Sequence, residues 1–258
     1  GARFRLLFRN GGPYPPPYPR FDHVQQVTEV YLELALNAGS PPGQQSLVPA
    51  AFTIPATFTP LLEEEKAALR RKLGLPHEKP IVLSVSAVNI THKRLDYLIR
   101  ELAGLSEPRP YLLILGQPDA ETSRVVTLAD ELLGAGNYRI DTVEPEEMAD
   151  HYRSADVLVL ASTREGFGRV MVEAMSHGLP CLAHDYAISR YVLGDQGDFA
   201  DFTSRGALTA LVQQVLGKGV SPQQQREMHR TAFERFSWDG LRPAYVDLIH
   251  RCAGPRSL

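Results

Sequence analysis

Residues 155–183, ADVLVLASTREGFGRVMVEAMSHGLPCLA, decide how this chain is read. Asp156 leads into Val157-Leu-Val-Leu160, an unbroken apolar run of the kind covered on both faces in a parallel sheet. Residues 163–168, TREGFG, then set two glycines where a strand hands over to a helix, and there bare backbone N–H groups can face an anion. Val170, Val172, Ala174 and Met175 carry the predicted helix, Gly178-Leu-Pro180 stops it, and Cys181-Leu-Ala183 reads as the next strand. Strand, glycine turn, helix and strand make one right-handed βαβ unit. Its turn lies at the carboxyl end of the sheet, where such folds bind ligands.

Inside that unit Glu165 and Glu173 stand eight positions apart. The spacing alone says little, since a chain of this length with ordinary Glu content holds about one such pair by chance. Context adds weight. Glu165 precedes the glycine turn, and Glu173 sits among apolar helix neighbours, where a partly buried carboxylate needs donors. Sugar or ribose hydroxyls would supply them. A favourable helix-start charge at Glu165 and an ion pair at Glu173 would account for the two residues as well.

The 258 residues, 43% of them hydrophobic, suffice for one large or two small domains with a proper core. A net charge of −3 gives no electrostatic case for nucleic acid as a partner. Cys181 and Cys252 form neither a disulfide framework nor a metal pattern, which implies a reducing compartment. The sequence has no apolar run long enough to span a bilayer and no signal peptide, so any membrane link would be peripheral. The chain opens on Gly1-Ala2 and enters a strand-like run at once, which reads as a fragment or a processed chain.

Taken in order, strands are expected over 4–8, 23–27 and 46–48, with Thr28 capping a helix over 29–37. The Pro- and Tyr-dense stretch 13–19 reads as an extended, exposed connector, and 49–60 as a hinge. A charged helix follows over 61–73, acidic at its start and basic at its end, as the dipole prefers. Strands over 80–88, 111–115 and 138–142 then alternate with helices that begin at Lys93 and span 120–133 and 144–154. Beyond the central unit come a short helix to 193, a strand over 197–202, helix over 213–236 broken at 217–222, and a closing helix. This alternation makes the chain α/β, with a Rossmann-like doubly wound parallel sheet.

Lys93, Arg94 and Arg169 fall in the first turns of two predicted helices, where a cation opposes the dipole. Both helix starts follow strand carboxyl ends. An anionic ligand between them explains the placement, and a solvated basic face is the alternative. Asn89 and His92 flank the same loop as hydrogen-bonding candidates for a phosphate, although His92, His151 and His177 read first as structural.

The run Glu165-Gly-Phe-Gly-Arg-Val-Met-Val-Glu173-Ala-Met, followed by Gly178-Leu-Pro180, resembles the E-x7-E motif of the retaining nucleotide-sugar glycosyltransferases of family four, glycosyl transferases group 1. The resemblance covers roughly residues 48–253. It implies the GT-B fold of two facing Rossmann-like domains. Residues 1–55 would be the remnant of a truncated N-terminal acceptor domain with its hinge, and 56–258 the C-terminal nucleotide-sugar-binding domain, whose closing helix 238–252 crosses back. It further implies a hexosyltransferase that works in glycan or polysaccharide synthesis with retention of anomeric configuration, and with no metal or other cofactor. By the same resemblance Lys93 and Glu165 form the catalytic pair, on the donor diphosphate and the donor sugar, and Glu173 takes the ribose. Arg94, Gly166, Phe167, Gly168, Arg169 and Asn89 complete the donor site, and Thr142 and Val143 meet the base.

Two stretches depart from the family pattern. Ala50-Ala-Phe52-Thr53 stands where relatives carry Asn-Gly-Val-Asp, and Ser86-Ala87-Val88 where Gly-Arg-Leu supplies a second cation. The acceptor would be a glycan, a lipid or a small molecule, and the place of action the cytoplasm or the inner membrane surface. A nicotinamide-dependent oxidoreductase would need G-x-G-x-x-G after its first strand, and residues 84–92 contain no glycine. A non-catalytic nucleotide-sugar-binding module on the same fold stays open; turnover separates it from an enzyme.

Overall fold

The computed structural model describes residues 4–12 and 14–254. The opening Gly1-Ala2 and Pro13 of the proline run lie outside them. Near the N-terminus β1 (Leu7–Asn10), β2 (His23–Gln26) and β3 (Gln45–Leu47) pair in parallel in that order. Helix α1 (Glu29–Asn37) joins the last two and is capped as expected, Thr28 Oγ1 accepting from the Tyr31 N–H at 3.3 Å. This small sheet buries amides. Asn10 Nδ2 donates to Gln26 Oε1 at 2.8 Å and Gln26 Nε2 to Gln45 Oε1 at 2.9 Å, so a polar ladder crosses all three strands.

The rest of the chain begins with α2 (Glu63–Lys72) and alternates strictly: β4 (Ile81–Val85), α3 (Leu95–Ala103), β5 (Tyr111–Leu115), α4 (Thr122–Leu132) and β6 (Tyr138–Asp141). A 3₁₀ turn at Pro145–Glu147 then leads into α5 (Met148–Ser154), β7 (Val157–Leu160), α6 (Arg169–Ser176), β8 (Cys181–His184), α7 (Ala187–Leu193) and β9 (Gly197–Ala200). Helices α8 (Ala207–Lys218), α9 (Pro222–Phe236) and α10 (Trp238–Ala253) close it. The six strands are parallel in the order β6-β5-β4-β7-β8-β9. Chain direction across the sheet reverses between β4 and β7, which opens a crevice at their carboxyl ends.

Alternation along each strand sends residues to two apolar layers. Leu83, Leu113 and Leu158 join Met171, Met175 and Phe236 on one face, while Val82, Leu112 and Val159 join Leu98, Ile99 and Val212 on the other. At the amino ends of the strands Asp156 accepts from Lys66 Nζ, Arg70 Nη2 and the Ile81 N–H, each at 2.6 Å. That knot ties α2 to the starts of β4 and β7. The opposite, carboxyl ends are left to the loops that carry the site.

Helix α10 returns to the small sheet, where Tyr245 Oη donates to the Pro49 carbonyl at 2.8 Å. The hinge pairs with the α9–α10 junction through Phe52 N–H to Phe236 O and Trp238 N–H to Phe52 O, both 2.8 Å. Two element starts differ from expectation in a way that matters for the site. β1 begins at Leu7, so Gly11 follows its end directly, and α3 begins at Leu95, so Lys93 stands in the turn before the helix. Among the described residues no helix is long and apolar enough to cross a membrane.

Candidate functional site

The crevice between β4 and β7 brings Lys93 and Glu165 together from loops 72 residues apart, Lys93 Nζ lying 2.7 Å from Glu165 Oε1. The Lys93 loop is built by side-chain acceptors. Asn89 Oδ1 accepts from the His92 and Lys93 N–H groups at 3.2 and 2.9 Å, and its Nδ2 donates to Asp119 Oδ2 at 2.9 Å. Glu121 accepts from the Thr91 and Ile90 N–H groups at 2.9 Å each, and these bonds, Thr91 first, hold its carboxyl below the ordinary value.

Glu165 is fixed from several sides. Ser162 Oγ donates to Glu165 Oε1 at 2.6 Å, and the hydroxyls of Tyr31 and Tyr186 approach its carbonyl oxygen at 3.5 Å. A cavity of about 320 Å³ opens there, lined by Lys93, Glu165, Phe167, Arg169 and the Ser86-Ala87 loop. The start of α6 forms one wall, where the Arg169 and Val170 N–H groups precede the first helical hydrogen bond, from the Met171 N–H to the Gly168 carbonyl at 2.9 Å. The glycine turn is required by space. A Cβ on Gly166 would sit 2.4 Å from the Gly11 carbonyl oxygen, and Gly168, at φ 76°, is left-handed. Gly11 belongs to the loop after β1, so the small sheet closes one side of the site.

Glu173 lies further along α6 and faces a second cavity, of about 290 Å³, with Phe52, Ile54, Met148 and Tyr152. Tyr152 Oη donates to Glu173 Oε2 at 2.8 Å. Burial first, and then the Glu173 charge, push this phenol far up, so it stays a donor. Arg169 stands between the two carboxylates, its guanidinium 5.2 Å over the Phe52 ring and Nε 3.9 Å from Glu173 Oε1.

Four predicted site residues are not brought into either cavity. Arg94, at φ 52°, turns away: Nη1 donates to the Phe202 carbonyl at 2.8 Å and the guanidinium covers the Tyr97 ring. Asn89 has both ends of its amide engaged in shaping the Lys93 loop. Thr142 Oγ1 donates to the Gly116 carbonyl at 2.8 Å, and Val143 packs against the core. Conversely, Ser162, Tyr152 and Gly11 were missed by sequence reasoning. Ser162 carried a legible signal, an S-x-x-E spacing to Glu165; Tyr152 and Gly11 carried none.

A cavity of about 410 Å³ at the amino ends of the strands is lined by Lys66, Arg70 and Asp156, whose charges already satisfy one another. Among the described residues no group of three His, Cys, Asp or Glu side chains is placed to hold a metal ion.

Residues 65–235 match the family described as Glycosyl transferases group 1. A D-inositol 3-phosphate glycosyltransferase of Kineococcus radiotolerans is 30% identical over 208 residues, covering 72% of this chain and 47% of that protein. The chain thus spans about half the length of the curated relatives it matches. Among solved structures, Anabaena Alr3699/HepE in complex with UDP superposes with a TM-score of 0.81 at 16% identity, over 95% of this chain and 72% of that one. A glycosyltransferase from Rickettsia africae gives 0.78 at 20% identity, over 96% and 70%. With a family match across most of the large sheet and its helices, and a GT-B likeness in the fold, this chain belongs to the glycosyl transferases group 1 family.

Proposed function

We propose that this chain binds a nucleotide diphosphate sugar in the crevice between β4 and β7 and belongs to an enzyme that transfers the sugar to an acceptor with retention of anomeric configuration. The observation that carries the reading is the meeting of Lys93 and Glu165 beside the start of α6. A cation and a helix start side by side suit a diphosphate, and a carboxylate next to them suits the hydroxyls of the attached sugar. Support from outside the chain is that Anabaena HepE has been solved with UDP and with UDP-glucose.

In this reading Lys93, the α6 start with Gly166, Phe167 and Gly168, and the neighbouring Arg169 stabilise charge that grows on the departing diphosphate. Glu165 accepts from a donor-sugar hydroxyl and Glu173 from the ribose. Metal-independent action follows in the same reading, as does a hexose as the transferred group. The acceptor is a glycan, lipid or small molecule, met in the cytoplasm or at the inner membrane face by peripheral contact. Residues 1–55 act as part of an acceptor domain and 56–258 as the donor domain.

A second reading, a binding module without turnover, is favoured by one observation: Ser86 and Ala87 line the cavity where relatives carry a second cation, and Arg94 is turned away to Phe202. Incubation with UDP-glucose, followed by proton NMR, separates the two. Release or transfer of glucose as the α-anomer first is the expected result. The β-anomer first would overturn retention, and binding without any release, by this chain and by a protein that also carries a full acceptor domain, would establish the module.

A further inference from the structure

We infer that Ser162 and Tyr152 are positioning residues, each holding one oxygen of a carboxylate on the glycine-turn unit and so leaving the other oxygen to the ligand. The inference rests on the donor-site reading above.

Ser162 is 2% exposed just past the end of β7, and its single hydroxyl proton goes to Glu165 Oε1 at 2.6 Å. Lys93 Nζ meets the same oxygen at 2.7 Å. Both donors therefore converge on Oε1 and, among the described residues, no side chain or backbone donor meets Oε2 of this cavity-lining residue. Tyr152, also 2% exposed, repeats the arrangement on the second carboxylate from a different element, α5. Its hydroxyl takes Glu173 Oε2 at 2.8 Å, and its ring is stacked on His177 with centroids 5.5 Å apart. Glu173 Oε1 has Arg169 Nε at 3.9 Å, beyond hydrogen-bond length.

The terminal torsion of a glutamate is broad and roughly two-fold, so an untethered carboxylate samples many orientations. Ordering it then falls to the ligand and weakens binding. A hydroxyl already committed to one oxygen removes that cost before the ligand arrives. The two tethers also divide the ligand between them: Ser162 serves the carboxylate assigned to the sugar, Tyr152 the one assigned to the nucleoside.

That division supplies a readout that a merely structural role would not move. Calorimetric titration of the chain with UDP and with UDP-glucose, and with the GDP and ADP pairs in parallel, would compare the wild type with Ser162→Ala and Tyr152→Phe. For whichever pair binds, Ser162→Ala should lose about tenfold in affinity for the nucleotide sugar and keep its affinity for the nucleoside diphosphate. Tyr152→Phe should lose about tenfold for both. Ser162→Thr, which keeps the hydroxyl, should restore nucleotide-sugar binding. Should Ser162→Ala fail to fold, Ser162→Cys reads the same split. A wild type that binds none of the three pairs overturns the donor-site reading and the tethers with it. A wild type that binds, with a Ser162→Ala that matches it or loses both ligands alike, or with a Tyr152→Phe that matches it, overturns the tethers alone.

Discussion

In the six-stranded sheet β5 buries Tyr111-Leu-Leu-Ile-Leu115, whereas in the three-stranded sheet β2 buries His23-Val-Gln-Gln26, polar at three of its four positions. Both strands are central or nearly so and both are parallel, so the backbone pattern does not account for the contrast. The large sheet has helices on both faces and fills the two layers with apolar side chains, leaving charge to the strand ends. The small sheet satisfies its interior by pairing Asn10, Gln26 and Gln45 across strands. Apolar packing tolerates local loss by degrees. A buried amide ladder is sensitive at each rung, because a missing partner leaves a desolvated donor or acceptor behind.

Substitutions in each sheet can break that contrast. Leu113→Ala, in a strand buried on both faces, should cost about 2–5 kcal/mol by loss of transfer energy and an unfilled cavity. Gln26→Leu removes a rung between Asn10 and Gln45 and should cost about 1–3 kcal/mol despite its gain in apolar surface. Chemical denaturation of both variants checks the order. A Gln26→Leu variant as stable as the wild type would mean that the ladder is not needed.

The smallest effect is in pH. His23 in β2 is buried against Ser46 Oγ, and burial first, then the Arg251 charge, lowers its pKa below the ordinary 6.5, with Asp247 acting in the other direction. The neutral ring is thus favoured in the folded chain, and the unfolded chain binds the proton first. Stability should therefore fall as pH drops below about 6.5, and a His23→Gln variant should show a flatter profile. An equal slope in both would remove His23 from the account.

The contrast also explains what was legible in the sequence. Val157-Leu-Val-Leu160 and its counterparts read as buried strands because nothing polar interrupts them, and the glycine turn located the crevice from the same stretch. The strand expected over 23–27 agrees with β2 to within a residue, but its burial depends on partners at Asn10 and Gln45 that no local period announces. Lys93 and Glu165 stood out as a misplaced cation and a carboxylate beside glycines. Arg94 shared the first signal but not the outcome, because its left-handed backbone sends it to a carbonyl 108 residues away. Tyr152 is 21 residues from the carboxylate it meets, a pairing that exists only once α5 and α6 pack on one face of the sheet.

The central claim is that Lys93, held in the crevice against Glu165, binds the diphosphate of a nucleotide. Its most direct test is the affinity for the nucleoside diphosphate, among UDP, GDP and ADP, that the chain binds best, measured by calorimetry in metal-free buffer before and after Lys93→Ala. Loss of a charge-assisted contact predicts an affinity lower by tenfold or more, equivalent to about 1.5–3 kcal/mol. A Lys93→Ala variant that binds the same nucleotide as tightly as the wild type would contradict the account.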